Sequence, residues 1–427
     1  MPSKVNAVKI RRPLYTSVVL VSALALTSGC GLIPGSGSEK RTVKIWLMQE
    51  SVSQDFLDRF TKAYEKEHPS VKLQFSFHSW TGIGKKVTSA LEGKNTPDVI
   101  EVGNTQVAQY AESDALVDLT LEAVRDLGSE DWLEGLAEPG NINGSQFGIP
   151  WYAANRVVVY NKDIFKDAGV DKFPKTREEW VDLSQRLNTD GTQGIYLPGQ
   201  DWYTLAGFIW DEGGDLAVEN AGDWEGRLHT EEALRAMEFY KELQAQGKGP
   251  KDSDEQKPPL VDVFAKGNIA QIIATPGTAA VIEKNNPQLK GKLGYFTIPG
   301  KTADKAGAVF TGGSDLIIPE KADQRSAAIE VVKEMAGERW QTELARTMNY
   351  VPNKKALAHV IKGQESAAAM AAGAAAEGSK ATPNTVRWAE VEVDNPIKPF
   401  MTKVLLGGDA ERAGKEASDR ISSILAP

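Results

Sequence analysis

Residues 42–102 read TVKIWLM (42–48), QESVSQDFLDRFTKAYEKEHPS (49–70), VKLQFSF (71–77), HSWTGIGKKVTSALEGKNTP (78–97) and DVIEV (98–102). The first block is strand-like and β-branched. In the second, Phe56, Leu57, Phe60 and Tyr64 fall on one face at helical spacing, and His68-Pro69 ends the run. The third block alternates as a half-buried strand does, a second helix is expected near 83–91, and 98–102 is a third strand that opens into the loop Gly103-Asn104-Thr105. Strand and helix patterns in alternation predict a parallel sheet covered by helices.

The alternation resumes further along. Residues 156–160 are strand-like. Thr176 is positioned to cap a helix through Leu187, with Glu179 completing a capping box, and Thr230 to cap another through Gln246. Residues 269–274 read as a buried strand running into Thr275-Pro276-Gly277, and 316–319 as a strand end. One long helix is expected over 327–346 and two more over about 390–425. The alanine- and glycine-rich stretch 365–381 reads as a mobile surface helix or loop. Two α/β units follow, with no long linker between them and no internal repeat.

The N-terminus reads as an address. Lys4, Lys9, Arg11 and Arg12 precede a 13-residue apolar run over 14–26, short of the roughly 20 residues that a membrane-spanning helix requires. A basic start and a short apolar core identify a signal peptide, residues 1–29. Thr27-Ser28-Gly29-Cys30 resembles the lipobox of bacterial lipoproteins, with Thr27 where leucine is commonest. That resemblance implies cleavage before Cys30 and a diacylglyceryl group upon it, hence a lipid anchor at the extracytoplasmic face of the cell membrane. Burial of acyl chains gains about 0.8 kcal/mol per CH₂, so two chains hold where one does not. Residues 30–41 are then a flexible tether. Cys30 is the only cysteine, which excludes an intrachain disulfide.

Composition removes several function classes. The formal net charge is −9, and −13 once the four basic residues of the leader are gone. An acidic body offers no footprint for nucleic acid. His68, His78, His229 and His359 lack metal-ligand spacing. No glycine-rich dinucleotide or P-loop motif and no Gly-x-Ser-x-Gly elbow occurs, and Asn188-Thr189-Asp190-Gly191 reads as a turn rather than a calcium loop. No cofactor, no metal and no catalysis are expected. Carboxylates are abundant enough that a glycan-degrading enzyme stays open as the alternative.

Aromatic residues carry the positive signal. Of ten tryptophans, Trp46 and Trp180 sit inside strand and helix patterns and read as core. Trp80, Trp151 with Tyr152, Trp202 with Tyr203, and Trp388 sit at loops or element ends. Ligands of α/β folds bind at strand ends. A sugar presents an apolar C–H face to an aromatic ring and a rim of hydroxyls to amides and carboxylates, which these residue types match.

In order along the chain, Pro97-Asp98-Val99-Ile100, Gly148-Ile149-Pro150-Trp151-Tyr152, Val159-Tyr160-Asn161-Lys162-Asp163-Ile164-Phe165, Phe264-Ala265-Lys266-Gly267-Asn268-Ile269-Ala270, Gly312-Gly313-Ser314-Asp315 and Tyr350-Val351-Pro352 resemble the extracellular solute-binding proteins of sugar ABC importers. Residues 51–55, 102–106 and 394–400 are similar to those of actinobacterial proteins that bind chitobiose or N-acetylglucosamine. The resemblance implies an α/β, two-lobe periplasmic-binding-protein-like fold with a hinge between the lobes. The N-terminal lobe would be 42–152 plus 310–355 and the C-terminal lobe 153–309 plus 356–427, with crossings near 152–154, 309–311 and 353–356. It implies reversible binding of an oligosaccharide and delivery to a membrane permease pair driven by a separate ATPase, by a monomer. The other readings are a sugar-sensing or adhesion lipoprotein and, further off, a peptide or polyamine binder. Carried over by position, Asn104 and Thr105 line the first lobe, Tyr152 and Asn155 lie near a crossing, Trp202 is a second-lobe platform, and Gly313 and Ser314 offer backbone and hydroxyl donors. Loop position and chemistry add Gln49, Trp80 and Trp388. Gly277 stands where many relatives carry a tryptophan, and Trp210 and Trp388 are the candidates to replace that platform.

Overall fold

The computed structural model describes residues 40–383 and 385–426. Cys30, the signal peptide and nearly all of the tether lie outside the described residues. Two sheets organise the rest. The larger has six strands in the order Val351–Pro352, Ile149–Ala153, Gly313–Ile317, Val99–Gly103, Arg41–Met48, Val71–His78. Its parallel part is the stretch quoted first: Arg41–Met48 runs parallel to both Val71–His78 and Val99–Gly103. Gly313–Ile317 is antiparallel to Val99–Gly103 and to Ile149–Ala153. The smaller sheet is wholly antiparallel, Gln271–Ala274, Val157–Asn161, Leu293–Phe296. The parallel sheet expected from the sequence is therefore realised only in the first hundred residues. Strands buried on both faces carry no alternation that would tell their direction.

Each sheet has a core on either face, because successive side chains of a strand point opposite ways. Val43, Ile45 and Leu47 pack with Phe56, Leu57, Phe60 and Tyr64 of the helix Gln54–Glu67, the four residues that the helical spacing singled out. Ile100 and Val102 pack with Ile83, Val87 and Tyr110 on the other face. In the smaller sheet Val158 and Tyr160 face a core containing Trp180, Trp202, Trp210 and Trp388. Val157 and Val159 face Leu260, Phe264 and Ile282.

Local chemistry sets the element ends. Thr176 accepts the Glu179 N–H (3.2 Å) and Thr230 that of Ala233 (3.4 Å), capping the helices Arg177–Arg186 and Glu231–Gln244. The long helix expected over 327–346 is two helices, Arg325–Ala336 and Glu338–Met348, broken where Gly337 turns extended. Three helices, Trp388–Asp394, Ile397–Leu405 and Ala410–Leu425, fill the region expected to hold two. The alanine-rich stretch is not a loose surface element: Glu365–Ala374 buries Ser366, Ala369, Met370 and Gly373. The chain passes from the larger to the smaller sheet at 154–156. The short helical turn Lys355–Ile361 still packs on the larger-sheet body, through Leu133 N–H to the Asn353 carbonyl (2.9 Å) and Ala356 N–H to Asp131 (3.1 Å).

Asp315 is wholly buried and neither carboxyl oxygen has a hydrogen-bond partner among the described residues. A Cβ at Gly140 or Gly148 would collide with this carboxyl. Burial pushes its pKa well above the ordinary carboxylate value. The folded protein therefore keeps a proton that the unfolded chain releases. Stability is full below the unfolded-state pKa and falls as pH rises from there towards the folded value. Asp315→Asn, which cannot ionise, is expected to raise the melting temperature at pH 8 and leave it near wild type at pH 4. An equal shift at both pH values would remove ionisation as the cause.

Candidate ligand-binding cleft

A cleft of about 590 Å³ lies where the two bodies meet, within the 300–1,000 Å³ usual for small-ligand sites. Strand ends build its first wall: Gln49, Glu50 and Ser51 follow Arg41–Met48, Trp80 follows Val71–His78, and Asn104 and Thr105 follow Val99–Gly103. Glu50 has φ +70°, a left-handed conformation that costs a non-glycine residue about 1 kcal/mol or more and that gathers at functional sites. Its carbonyl accepts the Tyr350 hydroxyl (3.3 Å). The opposite wall carries Arg156, Trp202, Tyr203, Asp254, Glu255, Phe310 and Glu392.

Beneath the floor lies a carboxylate that sequence reasoning noted only as one acid among many. Glu101 is fully buried. Its Oε1 accepts hydroxyls from Ser51 (2.7 Å), Tyr152 (2.8 Å) and Ser314 (2.7 Å), and its Oε2 accepts the Met48 N–H (2.8 Å). Burial raises its pKa, and these donors oppose the rise. Four strands of the larger sheet or their ends are tied to one side chain. A lone acid within an apolar run, here Val-Ile-Glu-Val at 99–102, was the available signal.

Charges in the cleft are largely spoken for. Arg156 pairs with Asp201 (3.3 Å) and Glu255 (2.8 Å), and Lys398 with Asp254 (2.7 Å). Glu50 and Glu392 have no ion-pair partner among the described residues. Burial raises each to about 7, with Glu255 and Asp262 adding to the effect at Glu50. The bodies touch across the cleft at Thr81 Oγ1 to Asp254 (3.4 Å) and Gln106 Nε2 to Glu392 (3.3 Å).

Of the residues singled out from sequence, Gln49, Trp80, Asn104, Thr105, Tyr152, Trp202, Gly313 and Ser314 line the cleft. Three do not. Asn155 is 4% exposed and donates to the Met370 carbonyl (2.8 Å), a structural bond to the alanine-rich helix. Trp210 ends the helix Trp202–Asp211 and lines a separate surface hollow with Trp224 and Lys380. Trp388 is 1% exposed and belongs to the core around the smaller sheet, and its indole N–H has no partner among the described residues. Neither tryptophan replaces a platform at Gly277: a Cβ there would meet the Tyr350 ring, so Tyr350 holds that space. Ser314 is also not a free donor, since its hydroxyl goes to Glu101. Trp202 stacks on Tyr203 (3.9 Å) and is 5% exposed, whereas Trp80 stands 36% exposed. Tyr203 and Tyr350, which stacks on Tyr152 (4.1 Å), are aromatic wall residues not singled out from sequence.

Among the described residues no cluster of His, Cys, Asp or Glu is arranged to hold a metal, and no helix is long and apolar enough to cross a membrane. The family model for bacterial extracellular solute-binding proteins matches residues 50–342. The diacetylchitobiose binding protein DasA of Streptomyces coelicolor is 36% identical over 427 residues, covering 98% of this chain and 99% of that protein. A maltooligosaccharide ABC transporter solute-binding lipoprotein of Streptococcus pneumoniae is 23% identical, covering 79% and 78%. Two solved structures share the two-lobe fold. The GacH receptor of Streptomyces glaucescens has a TM-score of 0.79 at 22% identity, covering 90% of this chain and 98% of that one. Maltose-bound T. maritima MalE3 has 0.78 at 19%, covering 90% and 100%.

Proposed function

Because the chain belongs to the bacterial extracellular solute-binding protein family, we propose that it captures a saccharide, with diacetylchitobiose the leading candidate, and hands it to an ABC import permease. The observation that carries this reading is the cleft itself. The rings of Trp80 and Tyr203 stand beside the amides of Gln49, Asn104 and Gln106 in one space between two lobes, with Trp202 and Tyr350 stacked against Tyr203 and Tyr152 in its walls. Rings cover the apolar face of a pyranose, and amides and carboxylates meet its hydroxyls.

Capture needs no chemistry. A ligand held by both lobes favours the closed arrangement through contacts that only that arrangement makes. Micromolar affinity corresponds to about −8.2 kcal/mol, within reach of two or three stacked rings and several hydrogen bonds. The nucleotide hydrolysis that drives import belongs to a separate ATPase, and the protein acts as a monomer. The lipobox-like Thr27-Ser28-Gly29-Cys30 supports a lipid anchor on Cys30 that keeps the protein at the outer face of the membrane.

Titration calorimetry with diacetylchitobiose, N-acetylglucosamine, cellobiose, maltose and trehalose tests the reading. Heat from diacetylchitobiose with one-to-one stoichiometry and unchanged ligand afterwards is the expected result. Silence across the whole panel would end the saccharide claim. New reducing ends in the recovered ligand would replace capture with cleavage.

A further inference from the structure

Three atoms on the cleft wall are buried yet lack a hydrogen-bond partner among the described residues: Asn104 Nδ2, Gln106 Oε1 and Glu392 Oε1. Asn104 is 1% and Gln106 6% exposed. Their orientations are fixed by their other atoms. Asn104 Oδ1 accepts the Thr105 N–H (3.0 Å), so its amide nitrogen is the free end. Gln106 Nε2 donates to Glu392 Oε2 (3.3 Å), so its oxygen is the free end. Buried polar groups in native proteins are nearly always satisfied, and those left open call for a partner. One donor and two acceptors are therefore unpaired where the two walls meet at the Gln106–Glu392 contact, sealed from solvent while that contact holds, with Ile83, Gly84 and Val393 as apolar neighbours.

We propose that Asn104, Gln106 and Glu392 form a socket for an acetamido group of the bound saccharide, an inference that rests on the saccharide reading above. An acetamido group carries one carbonyl acceptor for Asn104 Nδ2, one N–H donor for Glu392 or Gln106, and a methyl for the apolar neighbours. A hydroxyl in the same place offers a donor and an acceptor on one atom and no methyl. A free ammonium offers donors alone and leaves Asn104 open. The acetamido group pairs Asn104 and one of the two acceptors and adds a methyl, leaving the second acceptor for a neighbouring hydroxyl of the same sugar.

The socket also spans the two bodies. Asn104 and Gln106 adjoin Val107 and Tyr110, which belong to a core of the larger sheet. Glu392 sits on the helix Trp388–Asp394, whose Trp388 and Val391 belong to a core of the smaller sheet. An acetamido group bonded to both makes closure depend on that group, so recognition and movement share one contact.

Calorimetry and small-angle X-ray scattering on the wild type with diacetylchitobiose, cellobiose and the deacetylated glucosamine dimer provide the test. A site that leaves buried polar groups unpaired rejects the analogue strongly. Diacetylchitobiose is expected to bind at least a hundredfold tighter than cellobiose and to be the ligand that compacts the protein. Asn104→Ala and Glu392→Ala should each cost the acetylated ligand at least tenfold and narrow its lead over cellobiose. Equal affinity of the wild type for cellobiose, preference for the deacetylated dimer, or variants that lose both ligands equally would overturn the socket while leaving saccharide capture standing. The wild-type comparison decides the matter even if a variant fails to fold. No binding of any saccharide would remove both readings together.

Discussion

Trp80→Ala is expected to weaken saccharide binding about thirtyfold while leaving the melting temperature close to wild type. Trp80 lines the cleft with 36% of its surface open. A tryptophan side chain has up to about 250 Å², so a sugar ring can cover roughly 90 Å². At about 25 cal/mol per Å² this is near 2 kcal/mol, or thirtyfold in affinity. About two-thirds of the side chain is already covered, but Trp80 packs against none of the four hydrophobic cores, so truncation takes little from them. The sequence favoured Trp202 for this role, but Trp202 is 5% exposed and belongs to the core around the smaller sheet. Trp202→Ala would cost about 3–5 kcal/mol of stability as a core truncation, so its effect on binding cannot be separated from damage to the fold. Calorimetry paired with thermal melting on both variants checks this. Unaltered affinity in Trp80→Ala would make Trp80 an ordinary surface residue.

Glu101→Ala is expected to cost about 3–5 kcal/mol of stability, by stranding several buried donors at once. It removes the acceptor shared by Ser51, Tyr152, Ser314 and the Met48 N–H, all buried. An orphaned buried donor costs about 1–3 kcal/mol. The sum is smaller than four separate penalties, because Tyr152 already lies 3.1 Å from both Ser51 and Ser314 and the hydroxyls can bond one another. The melting temperature should fall by roughly 4–6 °C for a body of this size, and binding should fall with it as Tyr152 loses its anchor under the floor. Glu101→Gln, which keeps one acceptor oxygen but turns an NH₂ towards donors, should recover at most half of the loss. Melting curves near wild type for Glu101→Ala would mean that the cluster is bridged by water and carries little stability.

The local elements were legible because each is specified by neighbours in the chain. The helix Gln54–Glu67 follows from an apolar face at helical spacing, and the starts at Thr176 and Thr230 from a hydroxyl that reaches its own helix. Cleft residues at strand ends, Gln49, Trp80, Asn104 and Thr105, were legible for a related reason: position at the end of a strand is itself local information.

What the sequence determined by itself is the first strands and helices and the capped helix starts, the wall residues that directly follow strands, and, through the ordered resemblance, the two-lobe plan. Only the tertiary structure decided strand direction in the smaller sheet, the burial of Trp210 and Trp388, the capture of the Ser314 hydroxyl by Glu101, and the open ends of Asn104, Gln106 and Glu392. Each of these depends on partners far apart in the chain; Ser314 and Glu101, for example, lie 213 residues apart. Period and propensity describe one segment at a time, whereas burial and hydrogen-bond satisfaction are properties of pairs brought together by folding.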